Sequence, residues 1–395
     1  MTSAPYRGLR VVVGGYLGLL PAGGVAWDYV QYPRSFADLG CDVFYVEDTR
    51  LWPVYAPDDP TDAAPNARYL GGVMGAFGLG DRWAYRDEAS GRLFGMSEAA
   101  LAEVYRTADV FVNVSCSTAV RDAVARIPVR VLVDSDPMFT QIQLETGAQF
   151  TDGEAGLRAL VDAHTHHATF GENVGADDCR MPLSGVDWTP TRQPVCLDRW
   201  TPQPPRPGGA WTTLMNWSAA PPLDWAGETW GQKNRSFRRV EAVPSRVDVP
   251  LALAVGQTTG APFPRARAQA HGWDVLDPAV VAPDWRSYRS FLASSRGEFS
   301  VAKETYVKAR TGWFSCRSAC YLAAGRPVVT EDTAWTRTVP HGRGLLPFHD
   351  AASAADAVRA VEADYAGHAR AARGVAEAHF DGRRVLGDLL AAAGV

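Results

Sequence analysis

Lysine is almost missing from this chain of 395 residues. Of its 39 basic residues only Lys233, Lys303 and Lys308 are lysines, and the other 36 are arginines. Arginine therefore serves the ordinary surface. A retained lysine then either marks a place that wants a compact ammonium charge rather than a planar fork, or is a chance remnant of codon bias. All three fall in the second half. Paired cysteines are missing too: Cys41, Cys116, Cys179, Cys196, Cys316 and Cys320 are scattered without a CxxC pair, which excludes a zinc ribbon or a disulfide framework and fits reduced thiols in a cytoplasmic protein. No apolar run reaches the roughly 18 residues of a membrane span, and the five-residue run near the start is too short for a signal peptide. The phosphate-binding GxxxxGK[ST] motif is absent, which argues against nucleoside triphosphate hydrolysis of that kind. Excess positive charge is absent as well. A net charge of −5 and a pI near 5.9 argue against nucleic acid as a partner. His164, His166 and His167 lack a second cluster to complete a metal site, so no metal is expected.

What is present is an alternation of strand and helix, repeated twice. The run LRVVV (9–13) predicts a buried strand. A Gly-rich loop follows, then a helix to Leu39 that Pro33 should kink, and the strand CDVFYVED. Residues 53–80, rich in Pro, Asp and Gly, predict a long loop or lid. ADVFVNVS, PVRVLVDSDP and HHATFGENVG continue the strands, with helices at Ser97–Thr107, across STAVRDAVARI and at Glu154–Ala163. Seven prolines between Pro182 and Pro207 suit a semi-rigid connection. The rhythm then restarts with WTTLMNWS, a helix over Asn234–Val243, PLALAV, GWDVLDP, a helix at WRSYRSFLASS, EFSVA and GLLPF, and ends in an Ala-rich helical tail broken near Phe380–Gly382. The expectation is an α/β protein of two Rossmann-like, doubly wound domains facing each other across a cleft. The boundaries fall at 1–188, a linker at 189–208, a second domain at 209–380 and a terminal helix at 381–395.

The most informative stretch is Thr311–Thr330, TGWFSCRSACYLAAGRPVVT. Ser315 fits an N-cap, Cys316, Ala319, Cys320 and Ala323 recur at helical spacing, and Gly325 with Pro327 stops the helix before the strand of Val328 and Val329. Arg317 at the second helical position opposes the dipole at a cost of about 0.3 to 1 kcal/mol, a conflict that a bound anion would remove. Lys303 and Lys308 precede this helix, Ser318 lies within its first turn, and Lys233 begins the first helix of the second domain. Together they could neutralise a diphosphate.

The strings SACYLAAGRPVVTEDTAW, GRGLLPF and AEAHFDGRRVLGDLLAAAG resemble the nucleotide-binding half of GT-B glycosyltransferases. The N-terminal loop with its GGV and LGCDVFYVED is similar to the acceptor half of that fold. The resemblance implies transfer of a sugar from a nucleoside diphosphate sugar, with UDP or dTDP the expected nucleotide and no further cofactor. The acceptor implied is the hydroxyl or amine of a small molecule, such as a natural product or polar metabolite, and no metal takes part. By that resemblance Lys233 matches the basic residue that holds the diphosphate. Ser315, Arg317 and Ser318 match the loop and helix start beneath phosphates and ribose, and Gly14, Gly15 and Tyr16 either form the interdomain Gly-rich loop that approaches the donor phosphate in the family or make a turn and nothing more. Many retaining members carry a Glu just before the AMAxG-like segment and another eight residues earlier; this chain has Cys320 and Gly312 there, so the donor sugar and the stereochemical course stay unassigned. For acid or base work Asp134, ending a strand, and Glu172 stand as candidates, with a cap or turn made by DSDP the alternative for Asp134. Trp217, with Trp230, is the aromatic platform expected nearest the donor. The rival reading is an NAD(P)-dependent oxidoreductase, since Gly14, Gly15 and Gly18 follow a strand and Glu47 and Asp48 end the next; the glycines do not make GxGxxG and the acids lie too far on. A periplasmic-type binding protein is disfavoured by the want of an export signal.

Overall fold

The computed structural model describes residues 6–50, 62–147, 156–204, 208–256 and 260–395. The expected residues 53–61 of the lid, 154–155 of a helix and 205–207 of the linker lie outside them. In the first half the strands are β1 (Arg10–Gly14), β2 (Asp42–Glu47), β3 (Trp83–Arg86), β4 (Leu93–Gly95), β5 (Val110–Val114), β6 (Val129–Asp134), β7 (His166–Thr169) and β8 (Trp188–Pro190). They form one sheet in the order β4-β3-β2-β1-β5-β6-β7-β8, parallel throughout except for β4. The second half supplies β9 (Trp211–Asn216), a small hairpin of β10 (Leu223–Trp225) and β11 (Glu228–Trp230), then β12 (Leu251–Gly256), β13 (Trp273–Leu276), β14 (Gly297–Ser300), β15 (Val328–Glu331) and β16 (Leu345–Phe348). Apart from the hairpin these form a parallel sheet in the order β13-β12-β9-β14-β15-β16. The near-continuous apolar runs follow from burial on both faces: Val11, Val12 and Val13 are wholly inaccessible, as are Val328 and Val329.

In each sheet the strand order reverses once, between β1 and β5 and between β9 and β14. Such reversals open a crevice at the carboxyl ends of the strands, because successive helices leave in opposite directions there.

The helix Gly23–Asp38 joins the halves. It packs against the helices Trp285–Ser294, Cys316–Ala323 and Gly382–Ala392. Trp27 on it packs at a tilt against Trp200 with ring centroids 4.5 Å apart and donates from Nε1 to the Trp285 carbonyl at 2.8 Å. Its Pro33 does not split it: the helix runs unbroken. Packing from three helices holds the turn that the proline weakens. The terminal helix returns to the first half, where a Cβ on Gly382 would lie 2.0 Å from Ser35 Oγ. Gly382→Ala should therefore destabilise the protein by about 1 to 3 kcal/mol, the usual cost of overpacking, in a chemical denaturation measurement.

Other elements depart from the sequence reading. The expected loop contains the helix Ala64–Ala76, where Pro65 sits in the first turn and Leu70, Val73 and Met74 are buried. That apolar stripe outweighs the glycines beside it. The helix expected across STAVRDAVARI shrinks to Asp122–Ala125, because the Asn113 side chain captures the Thr118 backbone in a loop. The one over Asn234–Val243 shrinks to Lys233–Phe237. Among the described residues no helix is long and apolar enough to cross a membrane.

Candidate functional site

The two crevices face each other. On the first side β1 ends at Gly14 and the loop Gly15–Leu19 turns back over β2. Glu47 holds that loop: its carboxylate accepts from the Gly18 and Leu19 amides at 2.6 and 2.9 Å and from the Tyr45 hydroxyl at 2.9 Å. Burial raises its carboxyl to about 7 against those bonds. A Cβ on Gly15 would sit 2.3 Å from the Tyr45 hydroxyl oxygen, so the glycine is needed for the loop to lie on its own domain. Tyr16 follows, its ring 4.5 Å from that of Tyr29. Burial, the nearby carboxylates of Asp28 and Asp136, and Cys316 push its hydroxyl up to about 12 against a Tyr29 hydrogen bond. Ser115 leaves β5 with a φ of 60° and places its Oγ 2.6 Å from Ser135 Oγ after β6.

On the second side Lys233 starts the helix after β9, Lys303 follows β14, and Cys316 and Arg317 open the helix Cys316–Ala323. Each cation has a different lot. Arg317 is buried and donates to Glu298 Oε1, the Leu214 carbonyl and Ser300 Oγ. Lys303 Nζ lies 2.7 and 2.8 Å from the two oxygens of Asp136, across the cleft. Lys233, half-buried, makes no hydrogen bond or ion pair with the described residues. Burial, with Arg317 and Lys303 nearby, lowers its ammonium to about 7.

Further contacts close the cleft. The Tyr306 hydroxyl donates to Asp136, Trp313 stacks on Tyr306 at 4.4 Å and donates from Nε1 to the Ser135 carbonyl at 3.2 Å, and the Cys316 thiol donates to Asp28. Tyr16, Asp28, Lys233, Lys303, Trp313 and Cys316 are all partly exposed here.

Several expected site residues are engaged elsewhere. Asp134 is buried and saturated: it accepts from Thr140 and Gln141 at 2.7 and 2.9 Å, from Thr169 at 2.9 Å and from the Asp136 amide at 3.1 Å. It anchors the end of β6 and has no free lone pair for an acceptor. Glu172 is tied to Arg192 beside the terminal helix. Lys308 pairs with Glu228 at 2.7 Å and with the Thr229 carbonyl at 3.1 Å, on the hairpin. Trp217 is a core residue, edge-on to Phe237 and Phe263, and Trp230 is wholly buried. Ser315 occupies the N-cap with extended backbone but makes no capping bond, and Ser318 is fully buried. The anion expected to relieve Arg317 is a carboxylate of the protein itself, Glu298. His164 is a core histidine, bonded to the Leu160 carbonyl at 2.8 Å and lowered to about 4 by burial.

Sequence reasoning missed Asp28, Asp136 as the partner of Lys303, Tyr306 and Trp313. Asp28 had one available signal, a carboxylate two turns into the helix that follows the Gly-rich loop. That signal is common on exposed helix faces.

Two parallel sheets, each with one reversal of strand order and the crevices opposed, tied by a terminal helix that crosses back to the first half, decide the architecture. The fold is GT-B. The sequence matches no protein-family model and no curated protein. Solved structures of this fold are similar over nearly the whole chain. AviGT4, a glycosyltransferase involved in avilamycin A biosynthesis, has a TM-score of 0.53 at 12% identity, covering 98% of this chain and 97% of its own. An alpha-glucosyltransferase in complex with UDP reaches 0.59 at 12% identity, with 98% and 100% covered. Sucrose-phosphate synthase from Thermosynechococcus elongatus reaches 0.52 at 11%, with 97% and 98% covered. At such identity the likeness shows the GT-B fold alone.

Proposed function

We propose that the protein is a glycosyltransferase that moves a sugar from a nucleoside diphosphate sugar, UDP or dTDP as nucleotide, to a hydroxyl or amine of a small polar acceptor. The observation that carries this reading is Lys233. It stands at the crevice of the second sheet, and among the described residues its ammonium makes no hydrogen bond or ion pair; a solved alpha-glucosyltransferase of similar structure is in complex with UDP. Arg317 has Glu298 and Lys303 has Asp136, so an incoming diphosphate finds Lys233 free and Lys303 within exchange of a partner. These ammonium groups supply the positive charge that a divalent metal would otherwise bring, which supports a metal-independent reaction. The similar alpha-glucosyltransferase is also solved with UDP and DNA. The net charge of −5 here favours a small acceptor instead. The oxidoreductase reading loses its ribose ligand, since Glu47 is consumed by the Gly-rich loop and Asp48 by Arg121 at 2.6 and 2.7 Å.

Thermal melting with UDP, dTDP, GDP and NAD tests the proposal. One nucleoside diphosphate at 100 times its Kd should stabilise the fold by about 2.7 kcal/mol. Stabilisation by NAD alone overturns it.

A further inference from the structure

The carboxylates around the two crevices can be sorted by what already holds them. Glu47 is spent on the Gly15–Leu19 loop and Asp134 on three side chains and an amide. Asp136 is spent on Lys303 and Tyr306, and Glu298 on Arg317. Asp28 differs. Only its Oδ1 is engaged, by the Cys316 thiol, while Oδ2 accepts no hydrogen bond from the described residues and the side chain is partly exposed. It comes from the first half, on the helix Gly23–Asp38, yet it meets the first residue of the helix Cys316–Ala323 in the second half. Arg317 and Lys233 lie close enough to stabilise its negative charge. A carboxylate held by one oxygen, with the other open and the diphosphate's expected counter-cation beside it, is the arrangement a proton acceptor for glycosyl transfer needs.

We propose that Asp28 is the catalytic base of the transfer: it takes the proton of the acceptor hydroxyl as the sugar leaves the diphosphate held by Lys233. This rests on the transferase reading above. In the step the acceptor O–H bond breaks and its proton goes to Asp28 Oδ2. The acceptor oxygen bonds to the anomeric carbon, and the bond from that carbon to the diphosphate oxygen breaks, its electron pair going to the diphosphate. Direct displacement inverts the anomeric carbon. The surroundings suit the task. Burial raises the Asp28 carboxyl to about 6, opposed by the Cys316 hydrogen bond and the charges of Arg317 and Lys233. It is therefore ionised at neutral pH and basic enough to accept a proton. The other titratable groups that feel its charge are Tyr16, Tyr32, Tyr288, Cys316 and Cys320. Burial raises all of these well clear of pH 6; Lys233, lowered to about 7, titrates nearest, and it loses its charge on the alkaline side of the profile rather than on the acid limb.

The test uses the full chain, a panel of UDP-, dTDP- and GDP-sugars, and water or simple polyols as acceptors. UDP affinity and thermal melting are read alongside turnover. The expected result for Asp28→Asn is a fall in kcat of about 10²- to 10⁴-fold with UDP affinity and melting temperature unchanged. The wild-type acid limb, with kcat/KM falling below about pH 6, should be lost from the residual activity, and Asp28→Glu should recover part of the turnover. Product analysis by NMR should show inversion at the anomeric carbon. Turnover kept within a few fold with the acid limb intact overturns the assignment. So does retention of configuration, or a loss of UDP affinity that accounts for the lost turnover. Failure of the wild-type chain to bind any nucleoside diphosphate counts against the transferase reading itself, a separate result.

Discussion

Replacing Lys233 by Ala should lower the affinity for the nucleoside diphosphate by roughly 10- to 100-fold, the equivalent of the 1.5 to 3 kcal/mol carried by a hydrogen bond to a charged group. The reason is that no other cleft cation can substitute at no cost: Arg317 would have to abandon Glu298 and Lys303 would have to release Asp136. A pH dependence accompanies it, and its sign is fixed. In the free protein the ammonium is lowered to about 7 by burial and by Arg317 and Lys303. A bound diphosphate stabilises the protonated form and raises that value. Well below pH 7 Lys233 is already charged and binding moves no proton on it. Above pH 7 the free lysine is neutral, so binding takes up a proton and the affinity falls as pH rises, by up to about tenfold per unit. Asp28, raised to about 6, titrates below Lys233, so the uptake read at pH 8 reports the lysine. Calorimetry at pH 8 in buffers of different ionisation enthalpy should register uptake approaching one proton, and in Lys233→Ala both the uptake and the slope should vanish. A flat wild-type profile between pH 7 and 9 would place the phosphates away from this lysine.

Much of the fold was legible because its strands are apolar on both faces and short loops join them to helices. The runs at 9–13, 110–114, 251–256 and 328–329 carry enough buried valine and leucine to be read without neighbours. Edge strands were not legible. β4 is the edge and β3 the strand next to it, and at four and three residues Trp83–Arg86 and Leu93–Gly95 are too short to show a period. The hairpin of β10 and β11 was hidden in the same way.

The site was legible only as far as cations could be counted. The scarcity of lysine pointed to Lys233 and Lys303, which the fold brings near one another, and equally to Lys308, which five residues along the chain turn onto the hairpin. A carboxylate is judged by its partners, and those come from afar. Thr140, Gln141 and Thr169 close around Asp134 from three elements, whereas Asp28 is left with an open oxygen by a helix from the other half of the molecule. Spacing along the chain carries no trace of either.

Glu298→Ala should cost about 3 to 5 kcal/mol of stability, measured by chemical denaturation at neutral pH, because it leaves a buried guanidinium without its counter-ion. Glu298 lies on β14 with 0% of its side chain exposed, and Arg317 with 9%. Glu298 Oε2 has no hydrogen-bond partner, so Arg317, which donates to Oε1, makes the ion pair that holds the carboxylate. Replacing both residues by apolar side chains of similar volume should recover most of the loss, since a buried pair costs nearly as much to desolvate as its attraction returns. A loss below about 1 kcal/mol for the single change would mean that solvent reaches the guanidinium. The magnitudes also explain an arginine in the first turn of the helix Cys316–Ala323. Its conflict with the helix dipole costs about 0.3 to 1 kcal/mol, several times less than the loss expected when the pair is broken. A neutral residue at position 317 would relieve the smaller penalty and incur the larger one, by stranding Glu298 in the sheet beneath the cleft.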